Sequence, residues 1–193
     1  MDLRRTTTAV LVAPLATAAL LLGALAPAQA GSDRVTDVAG DVVDSDGDQV
    51  VPDVAAGDLL AFRARHTDSR VVVVARFRDL SRKARTGVQF FMVVRGEFYA
   101  VAVHISARRP GGRVGVGSDD GDIDCPGARH RVDYRAGTIR VGVPRSCLAT
   151  RGPVRFGVVA TTYHRFVDDG GSRGVDGPDG VIWPSLSAPV PAD

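Results

Sequence analysis

Lysine and glutamate are almost missing from this chain of 193 residues: Lys83 is the only lysine and Glu97 the only glutamate. The 24 cationic and 22 anionic positions are therefore nearly all arginine and aspartate. Straight-chain helix formers are scarce, whereas the 22 glycines, the 11 prolines and the aspartates favour turns. That composition argues against a helical fold. The preference for arginine over lysine is also what GC-rich codons produce, so it reads first as genomic bias.

Catalytic signatures are lacking too. There is no GxSxG elbow and no HExxH pair. Aspartates are plentiful, but no two stand out as an acid and a base. The four histidines are His66, His104, His130 and His164, and the first two fall at or near strand ends, where ordinary surface residues are expected. Aromatics make up only 6% of the chain. Sugars stack on tryptophan or tyrosine, and the candidates are Tyr99, Tyr134, Tyr163 and Trp183, each read more simply as a core or edge anchor. The expectation is a protein that is not an enzyme. An enzyme using Asp carboxylates is the alternative, and a purely structural envelope protein is a third reading.

Long apolar runs are confined to the N-terminus. Arg4 and Arg5 precede an apolar stretch densest from Leu15 to Leu25, and Ala28-Gln29-Ala30 follows as a small-x-small site. This order is that of a signal peptide over 1–30, cut after Ala30. It predicts a secreted, extracellular protein with no membrane association once the peptide is removed. The competing reading, a retained anchor, is weakened by Pro14, Gly23 and the cleavable site. Without Arg4, Arg5 and Asp2 the balance is 22 basic against 21 acidic residues. Such a balance gives no reason to expect nucleic acid or an anionic membrane as partner. Cysteine is nearly absent as well. Cys125 and Cys147 are the only two, and an even pair in an exported chain reads as a disulfide.

What is present is alternation of period two. In 70–78, Val71, Val73, Ala75 and Phe77 share one face and Val72, Val74, Arg76 and Arg78 the other. Residues 88–94 are apolar on both faces, as in a central strand, and Gly96-Glu97 turns into an alternating strand over 98–105. A second hairpin is expected around Ala136-Gly137, and another strand over 154–163. Residues 31–58 read as irregular, 106–130 as loop-rich with a short strand at 113–117, and 188–193 as a flexible tail. Seven to nine short strands predict an all-β fold: an antiparallel β-sandwich, jelly-roll or Ig-like, forming one domain over 31–187 after an N-terminal signal-peptide helix. Phe62, Val73, Phe77, Phe91, Val101, Val103, Val141, Phe156 and Val158 are its expected core.

Three acidic segments are candidate cation sites. Asp41, Asp44, Asp46 and Asp48 crowd together, followed by Asp53 and Asp58. Closely spaced aspartates around a glycine turn present hard oxygen ligands, so Asp44, Asp46 and Asp48 are the candidate Ca²⁺ ligands. The run resembles part of a thrombospondin type 3 repeat but departs from it at Gln49 and occurs once. It is not an EF-hand, which needs a glutamate at its twelfth position. Residues 119–124 and 168–179 are the other two segments, and the last resembles a glycine-rich nonapeptide Ca²⁺ repeat. The plainer reading of each is a solvated turn.

Gly57-Asp58-Leu59, the arginine-flanked strand to His66, and Arg70 through Arg78-Asp79-Leu80 together resemble uncharacterised secreted actinobacterial proteins. They are similar, more distantly, to family-nine carbohydrate-binding-module-like and DOMON-like sandwiches. The resemblance spans roughly residues 37–80. Cys125 and Pro144-Arg145-Ser146-Cys147-Leu148 suit the secreted group alone. It implies a sandwich and a binding role, with a cell-wall glycan or another extracellular ligand as partner, and it transfers no ligand residue; Met92 and His104 do not map onto the haem ligands of DOMON domains.

Overall fold

The computed structural model describes residues 31–44, 49–148, 152–163, 165–169 and 185–192. The expected signal peptide, Trp183 and His164 lie outside these residues. In chain order the strands are β1 (Gly31–Thr36), β2 (Val43–Asp44), β3 (Leu59–His66), β4 (Arg70–Phe77), β5 (Thr86–Val94), β6 (Glu97–Ser106), β7 (Arg109–Ser118), β8 (Gly121–Asp122), β9 (Arg129–Asp133), β10 (Thr138–Pro144), β11 (Val154–Thr162) and β12 (Phe166–Asp169). One 3-10 turn, Arg145–Cys147, follows β10. The chain is all-β, and its strands form two antiparallel sheets. One has the order β1-β3-β4-β10-β9, the other β2-β12-β11-β5-β6-β7-β8.

The alternation explains the layers. Val71, Val73, Ala75 and Phe77 of β4 point inward, as do Phe62 and Ala64 of β3 and Ile139, Val141 and Val143 of β10. They meet Val88, Phe90, Met92 and Val94 of β5, Val101, Val103 and Ile105 of β6, and Phe156 and Val158 of β11. Burying such a side chain contributes ~1.5–3 kcal/mol, so this shared layer holds the sheets together. Phe91 is buried, as expected, but Phe90 is the residue of β5 that enters the layer between the sheets. Phe91 lies on the other face of β5, pairs in register with Ala100, and packs its ring 5.2 Å from that of Phe98. Both faces of β5 are apolar, so alternation alone does not choose between the two neighbours.

The β5–β6 hairpin turns at Arg95-Gly96, one residue earlier than expected. Both have positive φ, 52° and 89°, as a two-residue turn of the type I′ class requires. The region read as irregular contains β1, and the region read as loop-rich contains the ten-residue β7. Glycines at 111, 112, 115 and 117 hide the alternation of β7. Within the expected tail, Val190 is 2% exposed and exchanges two backbone hydrogen bonds with Val154. His66, expected at the surface, is fully buried and its Nδ1 lies 3.0 Å from the Val190 carbonyl oxygen. Cys125 and Cys147 form the expected disulfide, with Cα atoms 5.7 Å apart. It ties the loop before β9 to the 3-10 turn after β10.

Candidate metal centre

Of Asp44, Asp46 and Asp48, the expected Ca²⁺ ligands, only Asp44 is among the described residues. Asp44 sits in β2 opposite Phe166 and accepts a 3.4 Å hydrogen bond from the Gln49 N–H. Asp46 and Asp48 lie outside the described residues. Among the described residues, aspartates from three separated segments gather at one end of the sandwich.

Asp37 and Asp41 flank the turn that leaves β1. Asp58 immediately precedes β3, and Asp168 lies in β12. Carboxylate oxygens of Asp37, Asp41 and Asp168 all fall within 4.8 Å of one another. Backbone constraints hold the frame. The Asp37 N–H donates to the Leu60 carbonyl at 2.9 Å, and the Leu59 N–H donates to Asp168 Oδ2. Asp58 Oδ2 accepts from the Gly40 N–H at 2.9 Å and pairs with Arg78 Nε at 3.0 Å. Gly57 precedes Asp58 with φ of 86°, and a Cβ there would collide with Thr162 Oγ1. Only glycine permits both that backbone and that approach.

Burial sets the electrostatics. Asp58 is fully buried and Asp168 is 4% exposed. Loss of water pushes the Asp168 carboxyl up to about 8; the charges of Asp37, Asp41 and Asp58 push the same way, and the Leu59 hydrogen bond opposes them. Asp58 is also raised, first by burial and then by Asp41, against the pull of the Gly40 N–H and Arg78. Asp58 Oδ1 is buried with no hydrogen-bond partner among the described residues. A buried carboxylate oxygen in that state costs free energy unless something positive meets it.

The donor set is all carboxylate, with no sulfur or imidazole, which suits a hard cation and not zinc or copper. Two oxygens on opposite sides of a Ca²⁺ ion are ~4.8 Å apart, so the spacing fits. The sequence names Asp41 and Asp58 in one acidic segment and Asp168 in another, but it does not point to Asp37 or to the meeting of Asp37, Asp41 and Asp168. The available signal was Asp58 itself, a lone aspartate directly ahead of a strand that is apolar where it enters the core.

Three surface concavities lie elsewhere, and none is lined by more than one carboxylate. Of the other candidates, Tyr99 is in the core, Tyr163 is half exposed, and Tyr134 donates to the Pro110 carbonyl at 2.7 Å beneath the Arg82 guanidinium. His104 is exposed on β6, and His130 Nε2 lies 2.9 Å from the Gly111 carbonyl oxygen. Fold and site together define a disulfide-bonded, all-β sandwich with a buried acidic end. Compared with known proteins, the chain matches no family model, no curated protein and no solved structure.

Proposed function

We propose that this chain is an exported, non-catalytic β-sandwich binding module of the cell exterior, stabilised by a Ca²⁺ ion at its acidic end. The observation that carries the cation is the convergence of Asp37, Asp41 and Asp168, whose carboxylate oxygens lie within 4.8 Å of one another with Asp168 buried. Asp37, Asp41 and Asp168 supply the ligands. Asp58, half neutralised by Arg78, holds the turn at Gly40 against them. The ion would replace repulsion among carboxylates with attraction and so join β1, β3 and β12. Export is supported by the N-terminal pattern and by the disulfide, which belongs to oxidising compartments.

Thermal unfolding with millimolar CaCl₂ and with EDTA, at matched ionic strength, tests the cation. Binding to the folded state alone stabilises by ~2.7 kcal/mol at a hundredfold excess over Kd. Asp41→Asn and Asp168→Asn should abolish the shift, and Asp46→Ala with Asp48→Ala should leave it. Equal midpoints with no calorimetric heat of binding would refute the site. A shift lost only in the 46/48 pair would return the ion to the opening loop.

The enzyme reading has one observation in its favour: two buried carboxylates in different environments, Asp58 beside Arg78 and Asp168 pushed up to about 8. Carboxylates in unlike environments are how acid and base roles arise, although burial raises both of these. Against it stand the hydrogen bond that ties Asp168 to the backbone of β3 and the lining of the three concavities.

A further inference from the structure

The exposed face of the five-stranded sheet is lined with arginine. Register alignment places Arg34 of β1 opposite Arg63 of β3, Arg63 opposite Val74 of β4, Val74 opposite Arg140 of β10, and Arg140 opposite Arg131 of β9. One row across the sheet therefore carries four arginines on five strands. Arg65 and Arg76 flank it in the adjoining rows. All six are exposed. Arg131 pairs with Asp133 at 3.6 Å; among the described residues the other five make no ion pair.

Two of the cross-strand neighbours are arginine directly opposite arginine, an arrangement that costs stability. Codon bias does not account for it. The middle of the outer face of the other sheet, built from the same codons, carries Val93, Phe91, Ala100, Ala102 and Gly115, with Arg113 and Arg155 only toward its margins. The whole chain has a net charge of +2, so a face this cationic leaves the remainder of the molecule net negative.

We propose that this face docks a linear phosphodiester polymer that carries no bases, such as a poly(glycerol phosphate). Charge complementarity is the first argument. The second is the geometry of the donor. Strands stand ~4.8 Å apart, so Arg34 with Arg63, and Arg140 with Arg131, each place two guanidinium forks around one tetrahedral phosphate. Arginine makes such bidentate contacts to phosphate in preference to point-charge ones. A shallow depression of about 650 Å³ lies beside the first pair, lined by Arg34, Arg63 and Arg76 with Val74, Ala61 and Asp33. The third argument is what the face lacks among the described residues. No aromatic ring stands on it to stack nucleobases, as single-stranded nucleic acid binding requires. The large exposed apolar residues, Val38, Val50 and Tyr163, are elsewhere, so nothing on this face inserts into a bilayer. The face is separate from the acidic end, and the proposal does not depend on Ca²⁺.

The experiment is equilibrium binding of the full mature chain to poly(glycerol phosphate) in EDTA, at 50 and 300 mM salt, with three competitors matched in charge. These are single-stranded DNA, heparin and vesicles containing anionic phospholipid. The expected result is binding that falls at least tenfold between the two salts, and at least tenfold in Arg63→Glu/Arg140→Glu. Gln89→Glu, on the opposite face, should bind as the parent does. A cooperative thermal transition with a midpoint at or slightly above that of the parent will show that the charge-reversed variant folds. No binding at 50 mM salt, binding indifferent to the double substitution, or equal or tighter binding of any competitor would overturn the proposal.

Discussion

The arginine face and the acidic end both crowd like charges, and they differ in where the charges stand. On the face, Arg34, Arg63 and Arg140 lie in water, where a unit pair 4 Å apart feels ~1 kcal/mol before salt reduces it. At the acidic end Asp58 and Asp168 are out of water, and the structure surrounds them with Arg78, the Gly40 N–H and the Leu59 N–H. The same density of one sign is thus tolerated cheaply in one place and only with dedicated partners in the other. Exposed crowding leaves charge free to meet a partner of opposite sign. Buried crowding asks for an ion or a proton.

The sharpest difference should appear in pH. Asp168 has a folded pKa of about 8 against an ordinary value of 3.8. Its folded form therefore binds a proton more tightly than the unfolded chain. The stability contributed by that proton is fully present below pH 3.8, is lost as pH rises, and is gone above about pH 8. With ~1.4 kcal/mol per pH unit as the limit, protein in EDTA should lose up to about 4 kcal/mol between pH 5 and pH 8. Asp58 is raised as well and acts with the same sign. CaCl₂ should flatten the curve, and so should Asp168→Asn. Denaturant unfolding at four pH values checks this; a flat or rising curve in EDTA would remove the contrast between the two regions.

Arg78→Met is the next largest effect. It removes the guanidinium beside Asp58 and a 2.8 Å bond to the Pro52 carbonyl. Breaking a fully buried pair costs ~3–5 kcal/mol; the Arg78 side chain is one-third exposed, so about 2–3 kcal/mol is expected. Arg76→Met, two residues away on the open face, should cost under about 0.5 kcal/mol. Equal losses from the two, measured by urea unfolding in EDTA, would mean that burial does not separate the regions.

The two regions also differ in how far the sequence foretells them. The arginine face follows from period-two alternation in β3, β4 and β10, each of which puts Arg63, Arg76 or Arg140 opposite an inward apolar run. Net charge hid it, because a sum over the chain erases the separation of signs in space. The acidic end was only half legible. Asp58 and Asp168 are 110 positions apart in sequence, and nothing local announces that β12 returns beside β3. The same blindness applies to the C-terminus, where the apolar residues are too few to show a period. Yet Val190 closes the end of the core against His66. Deleting 188–193 should therefore cost about 2 kcal/mol, from the buried valine and its two hydrogen bonds. A truncated chain as stable as the parent would restore the reading of this segment as a tail.

The smallest effect is the most telling, because its sign opposes intuition. Arg63→Glu introduces a carboxylate directly across from Arg34, on the row that also holds Arg140. A repulsive cross-strand pair becomes an attractive one, and such pairs differ by ~0.2–1 kcal/mol. Both side chains are exposed, so a gain of about 0.5 kcal/mol at low ionic strength is expected, shrinking toward zero in 0.5 M salt. A substitution that contributes to the loss of phosphodiester binding should thus make the protein slightly more stable. A residue kept for packing behaves in the opposite way: its loss weakens the fold and any binding together. The matching substitution at the acidic end, Asp41→Lys, would place a cation among carboxylates and also relieve repulsion, but there the relief should replace the Ca²⁺ response instead of adding to it. Melting curves of Arg63→Glu at 20 mM and 500 mM salt decide the matter. A destabilised variant at low salt would mean that the arginine row is held by contacts within the sheet, and the case for a face reserved for a polyanion would fall with it.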